Sequence, residues 1–176
     1  MKDTNKNDLL NYGKRYLKVE GEKNISFEAI SDFSLIPIEE YTNIWGKNFD
    51  LYCFDLVIYL NNELINFIND NIDEKNYLVS FCNCFVFFVY VDSNIYKFLL
   101  NHDIINISKL LKDKKKDIAD CYKIEYKKID SFLERVLCYI FGLSLELAFN
   151  IIQLEDYEIE DKIKSFIQDM VIAYKK

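Results

Sequence analysis

Tyr77-Leu78-Val79-Ser80-Phe81-Cys82-Asn83-Cys84-Phe85-Val86-Phe87-Phe88-Val89-Tyr90-Val91 is the longest apolar run in the chain, and whether it is a strand or a helix decides the fold. At fifteen residues it falls short of the roughly 20 apolar residues a membrane-spanning helix needs, so it reads as a core element. Its Phe, Val and Tyr content favours a strand over residues 85–91, while its unbroken greasiness also suits a buried helix. The same choice arises upstream. Phe49, Tyr52, Cys53, Leu56, Val57, Leu60, Leu64, Phe67 and Ile68 recur at helical spacing. Leu51, Phe54 and Ile58 make the opposite side apolar too, so a helix there is expected to be largely buried. The rival is a strand over 51–60 followed by a helix over 62–71.

Nearer the amino end a short helix is expected around residues 8–12. Residues 16–19 and 25–30 flank Glu20-Gly21-Glu22-Lys23-Asn24, and short runs around a Gly-containing connection predict a β-hairpin. Pro37 precedes Ile38-Glu39-Glu40-Tyr41, where its fixed φ suits a helix start, with Gly46 at the end. The second half carries helical spacing over 94–100, 108–126, 130–152 and 159–174, with Ser108, Asp130 and Asp161 at or near the starts. Gly142 allows a close helix approach or a kink. The fold expected is mainly α with a helical C-terminal half, or α+β with a small antiparallel sheet or hairpin in the N-terminal half, and residues 1–176 read as a single compact domain.

Composition bounds the function. The formal charge of −7 argues against binding a phosphate backbone and toward a basic protein partner. The abundance of Asn, Ile, Lys and Tyr points to an AT-rich genome and is read as origin, not function. The start, Met1-Lys2-Asp3-Thr4-Asn5-Lys6-Asn7-Asp8, has no apolar signal core, and the five cysteines, Cys53, Cys82, Cys84, Cys121 and Cys138, form no disulfide framework. A cytoplasmic location with reduced thiols is expected.

Chemistry-bearing motifs are scarce, with one histidine, one proline and four glycines. Cys82-Asn83-Cys84 has neither the C-x-x-C redox spacing nor a second pair for zinc, and reads as inert thiols. His102 beside Asp103 suggests a dyad only by adjacency, and a turn histidine is the plainer reading. Arg15 and Arg135 do not supply the arginine-histidine spacing of HEPN-type ribonucleases. Lys112-Asp113-Lys114-Lys115-Lys116 lacks interleaved aromatics and reads as a solvated basic face. No cofactor, no metal and no catalytic residue is assigned.

The acidic stretch Glu155-Asp156-Tyr157-Glu158-Ile159-Glu160-Asp161 is the candidate partner-binding site: an aromatic anchor inside a charged rim. The plainer reading of the same acids is a helix start favoured by the macrodipole. Asp32, Glu39 and Glu40 near Trp45 form a second acidic and aromatic group, whose tryptophan is an anchor or core. In size, acidity and lack of catalytic spacing the chain resembles bacterial immunity proteins and phage-encoded anti-defence inhibitors. That resemblance implies a stoichiometric inhibitor occluding a basic surface of a toxin or a nucleic-acid-processing defence enzyme. A structural or homo-oligomeric subunit is the first alternative, and an enzyme with a site built from dispersed carboxylates or His102 is the second.

Overall fold

The structure, a computed structural model, describes residues 5–102 and 107–175. Among them there are ten α-helices and no strand: α1 (Lys6–Glu20), α2 (Phe27–Ser34), α3 (Ile38–Trp45), α4 (Phe49–Asn71), α5 (Tyr77–Val91), α6 (Ser93–Asn101), α7 (Ser108–Asp113), α8 (Lys115–Tyr122), α9 (Ile129–Ala148) and α10 (Asp156–Lys175). Short 3₁₀ turns at Glu74–Asn76 and Tyr126–Lys128 precede α5 and α9. The mainly α expectation holds. The chain divides into two compact units, which among the described residues are 5–63 with 92–102, and 64–91 with 107–175.

The expected hairpin is corrected to two helices. Leu9, Leu10, Gly13, Tyr16 and Leu17 are buried at steps of 1, 3, 3 and 1, a helical face that carries α1 from Lys6 through the expected first strand. Asn5 caps it, its side chain accepting from Asp8 N at 3.0 Å. Gly21, at φ 73, does not turn a hairpin; its N–H closes on Leu17 O at 3.0 Å and stops the helix. Ser26 then caps α2 by accepting from Ala29 N at 3.1 Å, so the expected second strand is also helical. Pro37 and Gly46 flank α3 as expected.

Within the first unit Tyr52 of α4 sits fully buried in an aromatic cluster with Phe27, Tyr41, Trp45 and Phe49, most of the rings meeting edge to face at 4.9–6.1 Å. The helical reading of 49–71 is correct, and Tyr52, Cys53, Leu56, Val57, Leu60, Leu64 and Ile68 are its buried face. Its opposite side is not buried as expected: Leu51, Phe54 and Ile58 are exposed.

Within the second unit α5 packs against α9 and α10. The slight preference for a strand over 85–91 is corrected, because the whole run is helical, with Leu78, Phe81, Cys82, Phe85, Val86, Phe88 and Val89 buried. Six large apolar side chains buried on one helix beside Cys82, each worth roughly 1.5–3 kcal/mol, outweigh a β-propensity scale that spans only about 1 kcal/mol. Among the described residues no single helix is long and apolar enough to cross a membrane.

The expected helix over 108–126 breaks into α7 and α8, and α8 ends at Lys123, which takes a left-handed φ of 55. There Lys123 N bonds Asp120 O at 3.3 Å and Ile124 N bonds Ala119 O at 3.0 Å, the paired bonds of a Schellman stop with Ile124 buried beneath it. Helix α9 ends at Ala148, short of residue 152. Gly142 faces open space, with no close helix approach. The glycine that admits a neighbour is Gly13, where an added Cβ would meet Tyr52 Oη at 1.9 Å.

Candidate protein-binding face

Helix α10 begins at Asp156, ahead of the expected 159, because the acids upstream start it. Glu158 Oε2 accepts from Glu155 N at 2.8 Å, and Glu155 O accepts from Glu158 N at 2.9 Å and from Ile159 N at 3.1 Å. This is the reach-back half of a capping box, and the carboxylates favour the positive end of the helix dipole. Asp161 therefore lies inside the helix, not at its start. Ile159, Ile163 and Ile167 bury the inner face, fixing which acids point outward.

The six candidate residues of the acidic stretch, Ile159 aside, are consequently divided. Glu158 is half-buried and engaged in capping. Glu155, Asp156, Glu160, Asp161 and Tyr157 are exposed, Tyr157 at 66%. Glu160 pairs with Lys164 at 2.5 Å, the one cation the structure sets against these acids among the described residues. Asp156 and Glu160 lie one helical turn apart and, with Ile159, form a wall of a groove of about 330 Å³. Phe67, Asn71, Asn83, Cys84 and Phe87 complete it, so its lining is largely apolar and its only charges are negative.

Asn83 lines this groove and also a second one of about 460 Å³, shared with Tyr122, Lys164 and Gln168. Its Oδ1 is closed off from solvent and has no hydrogen-bond partner. A buried acceptor left so costs about 1–3 kcal/mol. Cys84 Sγ donates to Asn71 O at 3.7 Å, and Ser80 Oγ accepts from Asp73 N at 2.8 Å. Burial pushes the Cys84 thiol above its ordinary value, with a bond to Ser80 acting the other way, and drives the fully buried Cys82 thiol higher still. On the helix these two cysteines do not share a face, and neither is a thiolate near neutral pH.

The other sequence candidates are placed as follows. Trp45 is buried, so it is core and no anchor, and its Nε1 donates to Asp55 Oδ2 at 2.7 Å; Asp32 and Glu39 are exposed. In the basic run Lys114 pairs with Glu74 at 3.1 Å, while Lys115 pairs with Asp130 at 2.5 Å and lies over the Tyr126 ring. Asp103 lies outside the described residues. His102 instead faces Glu22, Nε2 to Oε1 at 3.4 Å, and Asn101 Nδ2 donates to Glu22 Oε2 at 2.6 Å. His102, Glu22 and Asp50 edge a cavity of about 480 Å³ whose other walls include Phe49, Phe54 and Phe98. Burial raises the Cys53 thiol beside it to about 11, which removes it as a nucleophile near neutral pH. Among the described residues no three His, Cys, Asp or Glu side chains gather to hold a metal ion. No protein-family model, no curated protein and no solved structure matches the chain.

Proposed function

We propose that the chain is a stoichiometric protein-binding inhibitor, immunity-protein-like or phage anti-defence-like in its mode of action, that works in the cytoplasm by occluding a basic surface of its target. The observation that carries this reading is the start of α10. Tyr157 stands exposed between Glu155, Asp156, Glu160 and Asp161, an apolar contact area inside a rim that attracts cations. Such a rim speeds encounter with a basic surface, and the aromatic ring adds burial once docked. A toxin or nucleic-acid-processing defence enzyme presents that kind of surface where it holds phosphate.

The test is capture of the tagged chain's partner from host lysate, followed by association kinetics of the purified pair for the wild type and for Glu155→Lys with Asp161→Lys. Both side chains are exposed, and circular dichroism of the variant checks that α10, whose start the acids favour, is retained. The double reversal is expected to slow association at least about tenfold at low salt and to flatten its salt dependence. Unchanged kinetics would overturn the reading.

A second reading rests on a different observation. Leu51, Phe54 and Ile58 are 46%, 55% and 42% exposed at i, i+3 and i+7 of α4, an apolar stripe of the kind that covers a subunit interface. Homo-oligomerisation through it predicts a concentration-dependent mass in light scattering that Phe54→Glu abolishes.

A further inference from the structure

We infer that the groove between Asp156, Glu160 and Phe87 receives one apolar anchor side chain from a lysine- or arginine-flanked segment of a basic protein. This rests on the inhibitor reading above and names what its acidic face grips. At about 330 Å³ the groove lies at the small end of the range for ligand pockets, roughly 300–1,000 Å³, with room for a large apolar side chain.

Charge selects the occupant. Phe67, Phe87 and Ile159 offer an apolar floor, whereas the charged lining groups are the carboxylates Asp156 and Glu160; Glu160 is already paired with Lys164, so Asp156 is the carboxylate left to meet an incoming cation. A nucleic acid or an anionic lipid headgroup brings negative charge to this rim and is repelled. A second copy of the chain carries a formal −7, and in its own basic run Lys114 and Lys115 are already paired with Glu74 and Asp130. An apolar side chain with cationic neighbours in its own backbone satisfies floor and rim together. The Asn83 amide, whose oxygen has no partner, gives the guest's N–H groups an acceptor after rotation about χ2.

Cys84 lines the groove and is half-buried, while Cys121 and Cys138 are exposed elsewhere on the surface. Occupancy can thus be read as protection of one thiol from alkylation with two internal controls. The probes are three capped heptapeptides: a leucine flanked on each side by lysines, the same peptide with alanine for leucine, and the same leucine flanked by glutamates. With iodoacetamide at slightly alkaline pH and site-resolved mass spectrometry, millimolar lysine-flanked leucine peptide is expected to slow Cys84 alkylation at least tenfold. Cys121 and Cys138 should be unaffected, and the other two peptides should protect Cys84 little. Asp156→Asn with Glu160→Gln should raise the concentration of leucine peptide needed for half-protection several-fold. Equal protection by the alanine peptide, or none by any peptide, overturns the groove proposal and leaves the charge-reversal test of the inhibitor reading standing. Equal protection by the glutamate-flanked peptide shows that charge selects nothing here and counts against both.

Discussion

Gly13 of α1 lies so close to the phenol of Tyr52 that a methyl group on it would stand 1.9 Å from Oη, 3.1 Å from Cζ and 3.2 Å from Leu56 Cδ2. Tyr52 cannot swing aside, because its ring is fully buried and its hydroxyl donates to Leu9 O at 3.3 Å. Alanine gains about 0.5–1 kcal/mol of intrinsic helix preference over glycine, whereas overpacking a rigid core costs about 1–3 kcal/mol. Gly13→Ala is therefore expected to destabilise the protein by about 1–2 kcal/mol in urea unfolding. Adding Tyr52→Phe removes the nearest atom, so the double variant should be more stable than the two single losses add up to, a coupling that a mutant cycle reads directly.

Asp55 makes an acid-sensitive clasp around the only tryptophan. Burial raises its carboxyl, but Lys6 Nζ at 2.6 Å and Trp45 Nε1 at 2.7 Å together outweigh that and hold it below the ordinary carboxylate range. In the unfolded chain it titrates at about 3.9. The folded value being the lower, the clasp's contribution is complete above the unfolded value and is lost as pH falls through the folded one. Trp45 emission is expected to change with a midpoint below about 3.9, while far-ultraviolet circular dichroism still reports a helical chain. Asp55→Asn should abolish that step and leave the protein less stable near neutral pH, with a weaker fall in stability on acidification.

Leu35 follows α2 in a left-handed conformation, φ 58 and ψ 25, and is 88% exposed. A non-glycine residue there costs about 1–2 kcal/mol, and glycine's greater freedom in the unfolded chain takes back about 0.5–1 kcal/mol. With no packing to lose, Leu35→Gly is expected to raise stability by a net ~0.5–1 kcal/mol, seen as a higher thermal midpoint.

The strand-or-helix choice at residues 77–91 was legible from two residues. Ser80 and Asn83, its polar members, are three apart; a strand sends them to opposite faces and so puts one of them toward the core, whereas a helix sets both on one side. α5 does the latter, with Ser80, Asn83, Cys84 and Phe87 on the side turned away from the buried row. The hairpin misreading at 16–30 had a similar remedy in the helical spacing of Leu9, Leu10, Gly13, Tyr16 and Leu17, which runs unbroken to Gly21. Glycine marks an end equally well for a turn and for a helix, so Gly21 could not choose between them. Gly13 and Gly142 both sit inside helices, and only the neighbour across the gap separates them. The acidic stretch was visible as composition, but its helix start, expected at 159, lies at Asp156, where Glu158 reaches back to Glu155 N. The groove was not, because Phe67, Cys84, Phe87 and Ile159 lie on three helices and meet only after packing.

The division of the chain into two units has a consequence for its synthesis. The first unit takes residues 5–63 and then 92–102, with 64–91 of the second unit threaded between them, and the boundary at 63 and 64 falls inside α4. Neither unit is thus a continuous stretch that a single cut could release, and α6, which packs on α1, leaves the ribosome only after the greasy α5 has emerged. Since α9 and α10, which cover α5, come later still, α5 waits for both while residues 92–128 are made, a window in which a chaperone has a claim on the nascent chain.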